Sequence, residues 1–567
     1  MVASSSTSHS CLFSIRSGSP GDRKGRPYKQ GTLLPLLIAV FFLLIFTGVH
    51  AQVERPKLVV GIVVDQMRWD YLYRYAARYG EGGFRRLLSE GYTCEQTFIP
   101  YIPSVTAIGH TCIWTGSVPS ISGIAGNNFC IDGQQVYCTD DATVSPVGTT
   151  EEAGRMSPAN LWVTTVGDEL RIATNDRSKV VGISLKDRSA ILPAGRNPNG
   201  AFWYDNSTGR FVTSTYYMDN LPQWVEGFNA LRLPDDYLHR TWTTLYPADT
   251  YIESQPDESP RYEAEIVGGA GVTLPLDLYP LFLQDGYEVL RKTPFGNTLT
   301  FQMARAAIEG EQLGTHTDPD MLCISCASTD HLGHLVGTHA VEMEDMYLRL
   351  DQEIADFLAY LDEHIGEGQY LLFLTADHGV MNNWHYLNDR RIPAGLWNPD
   401  SALIALREAV QVQFPSEEPL ISYVMNFQVF FNEHAIDSLG YDYAAVKALV
   451  VNTLRKDPHV HYACDMDLVL TESIPADIRE RIVNGYCRER SGGVQVVTKP
   501  GWHDRIEPGT THSVWNPYDT HIPLLFMGWG IPHGSTTRRT FMTDIAPTVA
   551  ALLHIQMPSG CIGQSIF

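Results

Sequence analysis

Residues 57–70 read "KLVVGIVVDQMRWD", and the fold follows from how that stretch is understood. From Lys57 to Val64 the chain is almost wholly apolar, with five β-branched residues and no polar alternation. A half-wetted strand would alternate, and so short a run favours a strand over a helix. It therefore describes a strand buried on both faces, as in a parallel sheet covered by helices. It ends abruptly on Asp65. Four further stretches share this design. Lys179–Ser184 leads to Lys186, Met321–Ser325 to Asp330, and Tyr370–Thr375 to Asp377-His378; Pro523–Met527 follows "DTHI". All five are expected to be parallel strands.

Helical patterns lie between them. Tyr71–Glu90 stops at Gly91. Val341–His364 places Met343, Met346, Leu350, Ile354, Phe357 and Leu358 on one stripe, and Thr543–Leu553 carries Pro547 near its start. Strand–helix alternation predicts an α/β fold, a doubly wound, mostly parallel sheet sandwiched by helices. Residues near 195–295 and 381–500 break the rhythm and read as cap insertions on a catalytic domain spanning 52–567.

Residues 1–51 stand apart. Five basic residues precede the uncharged run "LLPLLIAVFFLLIFTGV", which ends on a Val-His-Ala site at Ala51. This pattern reads as a cleaved signal peptide, so the protein is expected to be exported, periplasmic or secreted, with no stable membrane insertion after cleavage. Without it the chain carries 36 Lys+Arg against 63 Asp+Glu. So acidic a surface repels polyanions and argues against a nucleic-acid partner. Nine cysteines remain, an odd number for an exported chain. Cys130 and Cys138 flank a predicted Asp-Gly turn and form a plausible disulfide, with Cys464–Cys487 a weaker pair. Cys323 and Cys326 sit on an apolar strand pattern and read as core residues. Nothing in the sequence signals an oligomeric state.

The polar residues at the strand ends carry the chemistry. Asp65, Asp330, His334, Asp377 and His378 all fall where open parallel sheets place their ligands. Asp330 and His334 share a face if their turn is helical, while adjacent Asp377 and His378 diverge. Carboxylate and imidazole together suit Zn²⁺, although Mn²⁺ and Co²⁺ accept the same donors. Paired divalent ions stabilise both the attacking and the leaving oxygen of an in-line phosphoryl transfer.

Taken together, "VVDQMRWD", "PSVTAIGHT", "STDHLGH", "TADHG" and "GTTHSVW" resemble the alkaline phosphatase superfamily, in particular its exported single-chain alkaline phosphatases with a threonine nucleophile. The resemblance runs from Lys57 to the C-terminus. It implies two Zn²⁺ ions, one on Asp65, Thr106, Asp377 and His378, the other on Asp330, His334 and His512. Thr106 would be the nucleophile, passing through a phosphothreonine intermediate. A free threonine hydroxyl is a poor nucleophile at neutral pH, so activation by a metal is the chemistry it needs. Ser104, His110 and Thr111 read as loop-shaping residues. Arg68 and Asp70 are expected to cap the first helix; His331, His385 and His521 take no role.

By the same resemblance Asn127, Lys186 and Arg188 contact nonbridging phosphoryl oxygens. Alternation along an extended segment would point Lys186 and Arg188 the same way. A monoester dianion offers them an extra charged oxygen that a diester lacks. The function implied is a zinc-dependent phosphate monoester hydrolase, an alkaline phosphatase. The alternative is a type I phosphodiesterase/nucleotide pyrophosphatase of the same superfamily, without the Lys/Arg pair at the site. A metal-free binding protein would not keep every ligand position filled, and "SVTAIGH" stands where a sulfatase carries its modified Cys or Ser.

Overall fold

The computed structural model describes residues 53–567, except 257–260, 268–270 and 505–507. The leader expected over residues 1–51 lies outside the described residues. Among them, the central sheet has eleven strands. In chain order these are β1 (Leu58–Val64), β2 (Tyr92–Phe98), β3 (Pro146–Val147), β4 (Val180–Ser184), β5 (Gly200–Asp205), β6 (Arg210–Ser214), β7 (Asp320–Cys326), β8 (Tyr370–Thr375), β9 (His521–Ile522), β10 (Leu524–Gly528) and β11 (Gly534–Phe541). Across the sheet they run β9-β2-β10-β8-β1-β7-β4-β5-β6-β3, with β11 beside β2. The centre, β8-β1-β7-β4-β5, is parallel. The fold is thus α/β, with a mixed, mostly parallel sheet between helices.

β1 lies in the middle and all seven of its residues are buried, which explains its unbroken apolar run. Its register positions the site. Val63 is level with Ser325 on β7 and Thr375 on β8, and Ser325 is level with Ser184 on β4. Asp65, Asp377 and Lys186 each stand two residues beyond that common row. Three long-separated charges therefore emerge side by side at the carboxyl ends of adjacent strands.

Several expectations change in detail. The strand at 524–528 is antiparallel to β8, because apolar periodicity reports burial and not direction. Tyr71–Glu90 forms two short helices, Tyr71–Arg74 and Phe84–Glu90. The "GEGG" run interrupts them, and the Asp351 carboxylate accepts the N–H groups of Gly80 and Phe84, each at 2.7 Å. Asp70 occupies the first helix's N-cap position but makes no side-chain cap; its carboxylate pairs with Arg68 and Arg74 instead. Cys130 and Cys138 are not bonded, and neither are Cys464 and Cys487. In the hairpin Asn128–Tyr137, Cys130 stands opposite Gln135, while the Cys138 N–H pairs with the Asn127 carbonyl, so the two thiols are not cross-strand partners. Cys323 and Cys326 are buried on β7.

The stretch near 195–295 opens with β5 and β6, which belong to the central sheet. The later part of it lies against α4, Val341–Leu361, where buried Asp345 accepts from Trp242 Nε1, Leu245 N and Tyr251 Oη at 2.6–2.7 Å. The stretch near 381–500 builds a four-stranded sheet with its own apolar core, including Trp397, Leu406, Ile421, Val429, Val446 and Val494.

Helix α1, Thr106–Thr115, is buried along its whole length. Its close approach to the strand end needs Gly109: a Cβ there would lie 2.3 Å from the Asp377 carbonyl oxygen, which is backbone and cannot swing aside. Gly109→Ala should therefore destabilise the fold by about 1–3 kcal/mol, the usual range for overpacking. Thermal unfolding of the chelator-treated protein, which isolates packing from metal binding, measures this directly.

Candidate metal centre and phosphoryl-transfer site

Two groups of side chains meet beyond the strand ends. Asp65, Asp377 and His378 form one, Asp330, His334 and His512 the other; within each, potential ligand atoms lie within 4.8 Å of one another. Asp65 and Asp377 leave β1 and β8. Asp330 and His334 lie one turn apart on helix α3, Ser328–Val336, with His334 Nε2 3.1 Å from Asp330 Oδ1. His512 arrives from the far C-terminal side of the 381–500 insertion, with Nε2 3.7 Å from Asp330 Oδ1.

All three imidazoles are oriented alike. Nδ1 of His334 donates to the Thr510 carbonyl at 2.9 Å, that of His378 to Gly379 at 3.0 Å, and that of His512 to Ser104 at 2.6 Å. A carbonyl only accepts, so the proton sits on Nδ1 and the Nε2 lone pair faces inward, the usual arrangement of a metal-binding histidine. Burial holds His378 down to about 3 and, with the neighbouring His378 and His334, His512 well below the ordinary histidine range. Neutral Nε2 of His378 then lies 3.5 Å from Asp65 Oδ1 and 3.4 Å from Asp377 Oδ2. Those are acceptors facing acceptors. Asp65 Oδ1 and Asp377 Oδ2 are moreover buried with no hydrogen-bond partner. Unpaired buried carboxylate oxygens are costly. A divalent cation among these atoms removes the conflict, so the residues fit a metal ion.

The remaining oxygens are held. Asp377 Oδ1 accepts from the N–H of Gln66 (3.1 Å) and of His378 (3.0 Å). Lys186 Nζ donates to Asp65 Oδ2 and Asp330 Oδ2, each at 2.6 Å, and is buried. Burial raises Asp377 to about 7; Lys186 opposes the rise and Asp330 adds to it. Asp65 is also raised, by burial and then by the Asp330 and Asp377 charges, against the pull of Lys186. Burial alone would raise Asp330 too, but His334 whenever it is protonated, and the Lys186 ammonium, outweigh it and hold it low.

Thr106 opens α1, and its Oγ1 is 3.4 Å from His378 Nε2. Val105 cannot cap the helix; Asn127, from a separate loop, does so by accepting the Ala107 N–H at 2.9 Å. Asn127 is thereby fixed one residue from the Thr106 hydroxyl. Lys186 and Arg188 do not share a face. Lys186 is extended, but helix α2, Asp187–Ala194, begins immediately after it. Lys186 points at the carboxylates, while Arg188 Nη1 donates to Tyr137 Oη at 2.9 Å. Tyr137 Oη in turn donates to Asp187 Oδ1 at 2.9 Å. Tyr137 stands opposite Asn128 in the hairpin that follows Asn127, so one small element joins Asn127 to Arg188.

His110 and Thr111 lie in the body of α1, not in a loop: Thr111 Oγ1 donates back to the Ala107 carbonyl, and His110 Nε2 is 3.3 Å from Ser325 Oγ. Ser104 contributes through its carbonyl to His512. His521 stacks between Trp69 and Phe98. Sequence reasoning passed over Gln66, Tyr137 and the Thr510 carbonyl, which act through hydrogen bonds that no spacing announces.

The family described as type I phosphodiesterase / nucleotide pyrophosphatase matches residues 59–519. The chain belongs to that family. It is thereby a member of the alkaline phosphatase superfamily. Alkaline phosphatase PafA of Elizabethkingia meningoseptica is 49% identical over 522 residues, 91% of this chain and 94% of the relative. Alkaline phosphatase PhoV of Synechococcus elongatus is 48% identical over 91% of this chain and 93% of its own. A Myroides odoratus protein named calcium-transporting ATPase is equally similar, 48% over 91% and 95%. The crystal structure of wild-type PafA superimposes with a TM-score of 0.88, covering 91% of this chain and 99% of that one. No helix among the described residues is long and apolar enough to cross a membrane.

The raised Asp377 sets the sign of a pH dependence. Below about pH 7 a proton occupies this carboxyl and competes with any cation, whereas His378, neutral above about 3, does not compete. Zinc affinity should fall as pH drops below about 7, roughly tenfold per pH unit for each proton displaced, and level off above it. Zinc titration against a competing chelator from acid to alkaline pH measures both limbs.

Proposed function

We propose that this chain is a zinc-dependent alkaline phosphatase that hydrolyses phosphate monoesters through a phosphothreonine intermediate. The protein is a phosphatase, a phosphoric monoester hydrolase, as its PafA and PhoV relatives are named. One observation carries the finer reading. The Thr106 hydroxyl lies 3.4 Å from His378 Nε2, beside two groups of imidazoles and carboxylates, the nearer of which holds two buried carboxylate oxygens with no hydrogen-bond partner. Carboxylate and imidazole donors without thiolates suit zinc.

Asp65, Asp377 and His378 would hold one ion, with Thr106 beside it, and Asp330, His334 and His512 the other. Bound there, the ions supply positive charge for the attacking and leaving oxygens and lower the pKa of an adjacent hydroxyl. Thr106 Oγ attacks phosphorus in line, the ester P–O bond breaks, and the alcohol departs with a proton. Water then cleaves the phosphothreonine and returns Thr106. Asn127 Oδ1 is engaged by Ala107, which leaves its Nδ2 donors for a phosphoryl oxygen. Lys186, held on Asp65 Oδ2 and Asp330 Oδ2 between the two groups, would supply positive charge to the phosphoryl group. Arg188 supplies a second positive charge, braced by Tyr137. A solved PafA variant has one threonine, one asparagine, one lysine and one arginine replaced. Thr106, Asn127, Lys186 and Arg188 are the same four residue types. Export follows from the N-terminal pattern and is part of this proposal.

The family's own description names diesterases, so the choice of ester is the point to test. Purified enzyme with Zn²⁺ should cleave an aryl phosphate monoester far faster than the corresponding diester, and lose both activities with chelator. Thr106→Ala should lower turnover roughly 10⁴-fold, in the range seen when a nucleophile is removed. Lys186→Ala with Arg188→Ala should cost monoester kcat/KM about 10²–10³-fold or more and the diester much less. A diester preference in the wild type, or equal losses in the double variant, would reject the monoesterase reading.

A further inference from the structure

Directly after Asp65 the chain adopts a conformation that its residue type disfavours. Gln66 has φ +67°, in the left-handed region, and is buried. Glycine enters that region freely; glutamine does not. Held-in strain of this kind points to a residue that the surroundings require.

The conformation gives Gln66 two partners. Its backbone N–H donates to Asp377 Oδ1 at 3.1 Å, and its side-chain Nε2 donates to Asp330 Oδ1 at 2.6 Å. One residue thus touches an acid of each ligand group. The room for its amide comes from Gly333, between Asp330 and His334 on α3. A Cβ at 333 would lie 2.0 Å from Gln66 Oε1.

Asp330 has the most to gain. Its Oδ1 is the oxygen that faces His334 Nε2 and His512 Nε2. The terminal torsion of an aspartate is soft, so an unheld carboxylate would turn. Lys186 holds Oδ2 and Gln66 holds Oδ1. Lys186 brings charge as well; Gln66 brings direction without charge.

We propose that Gln66 is a positioning residue: it fixes the Asp330 carboxylate in ligand orientation and so sets the cation affinity of the Asp330/His334/His512 group, separately from the Asp65/Asp377/His378 group. The inference rests on the two-ion reading above.

The test uses the full chain, loaded with Zn²⁺ and titrated with a competing chelator while bound zinc is counted. Gln66→Asn tolerates a left-handed backbone and keeps the N–H to Asp377, but its amide is one methylene too short for Asp330. Wild type should release zinc in two steps. Gln66→Asn should leave one step unchanged and weaken the other on the order of 10–100-fold, the usual effect of losing a partner that orients a ligand. Gly333→Ala, which displaces the Gln66 amide, should move the same step. In a His334→Ala background, where that ion is already lost, Gln66→Asn should change nothing further. If Gly333→Ala does not fold, Gln66→Asn decides alone. Two unchanged steps, or two steps weakened equally, overturn the inference and leave the two-ion reading intact. A wild type that binds fewer than two zinc ions overturns both.

Discussion

One buried ammonium organises this molecule. Lys186 Nζ sits 2.6 Å from a carboxylate of each ligand group, and a third acid, Asp377, stands in the same dry cluster. Three carboxylates around one lysine leave the site short of positive charge. The shortage appears as a raised Asp377 and as two carboxylate oxygens with no hydrogen-bond partner. Buried carboxylates so short of positive charge are stabilised by a cation that joins them. Ion binding and folding are then thermodynamically linked, since the ligands are assembled only in the folded chain.

The scaffold exists to hold that imbalance in place. Parallel strands in register bring Asp65, Asp377 and Lys186 level, although they are far apart in the chain. A fully buried helix then lays Thr106 against the cluster, and its packing depends on the missing side chain of Gly109. His512, the last member of the second candidate group, follows an insertion with a core of its own. Its ring is fixed by the Ser104 carbonyl, two residues before Thr106. Thr106 and His512 are thereby tied to one turn of chain.

The ligand groups by themselves suit a monoesterase and a diesterase equally. What would distinguish them is the proposed cationic rim, and the residues around Arg188 form a connected structure. Arg188 leans on Tyr137, Tyr137 on Asp187, and the same hairpin follows Asn127, which caps the helix that Thr106 opens. The insertion near 381–500 also meets this hairpin, through Asn426 Nδ2 on the Asn128 carbonyl at 2.8 Å and through Arg490, which donates to the Gly123 and Asn160 carbonyls and lies over Phe129 and Trp162. The insertion is thereby joined to the element that links Asn127 to Arg188.

Much of this was legible beforehand. Unbroken apolar runs ending on acids and a lysine reported strands buried on both faces, because only such strands need no polar alternation. The i,i+4 spacing of Asp330 and His334 reported a helical face. The direction of the strand at 524–528 was not legible, since burial looks the same in either orientation. The helix start after Lys186 was missed because an extended residue before a helix looks like the end of a strand. The disulfide suggested by the Cys130–Cys138 spacing did not form, because register and not spacing chooses cross-strand partners. By itself, then, the sequence determined which residue types are available and on what kind of element each stands. Only the tertiary structure decided that Lys186 neutralises two acids, that three backbone carbonyls set the histidine tautomers, and that Gln66 joins the two groups. The physical reason is that, apart from His378 on its neighbour Gly379, these are directional contacts between residues more than a hundred positions apart, and their geometry exists only once the sheet has closed.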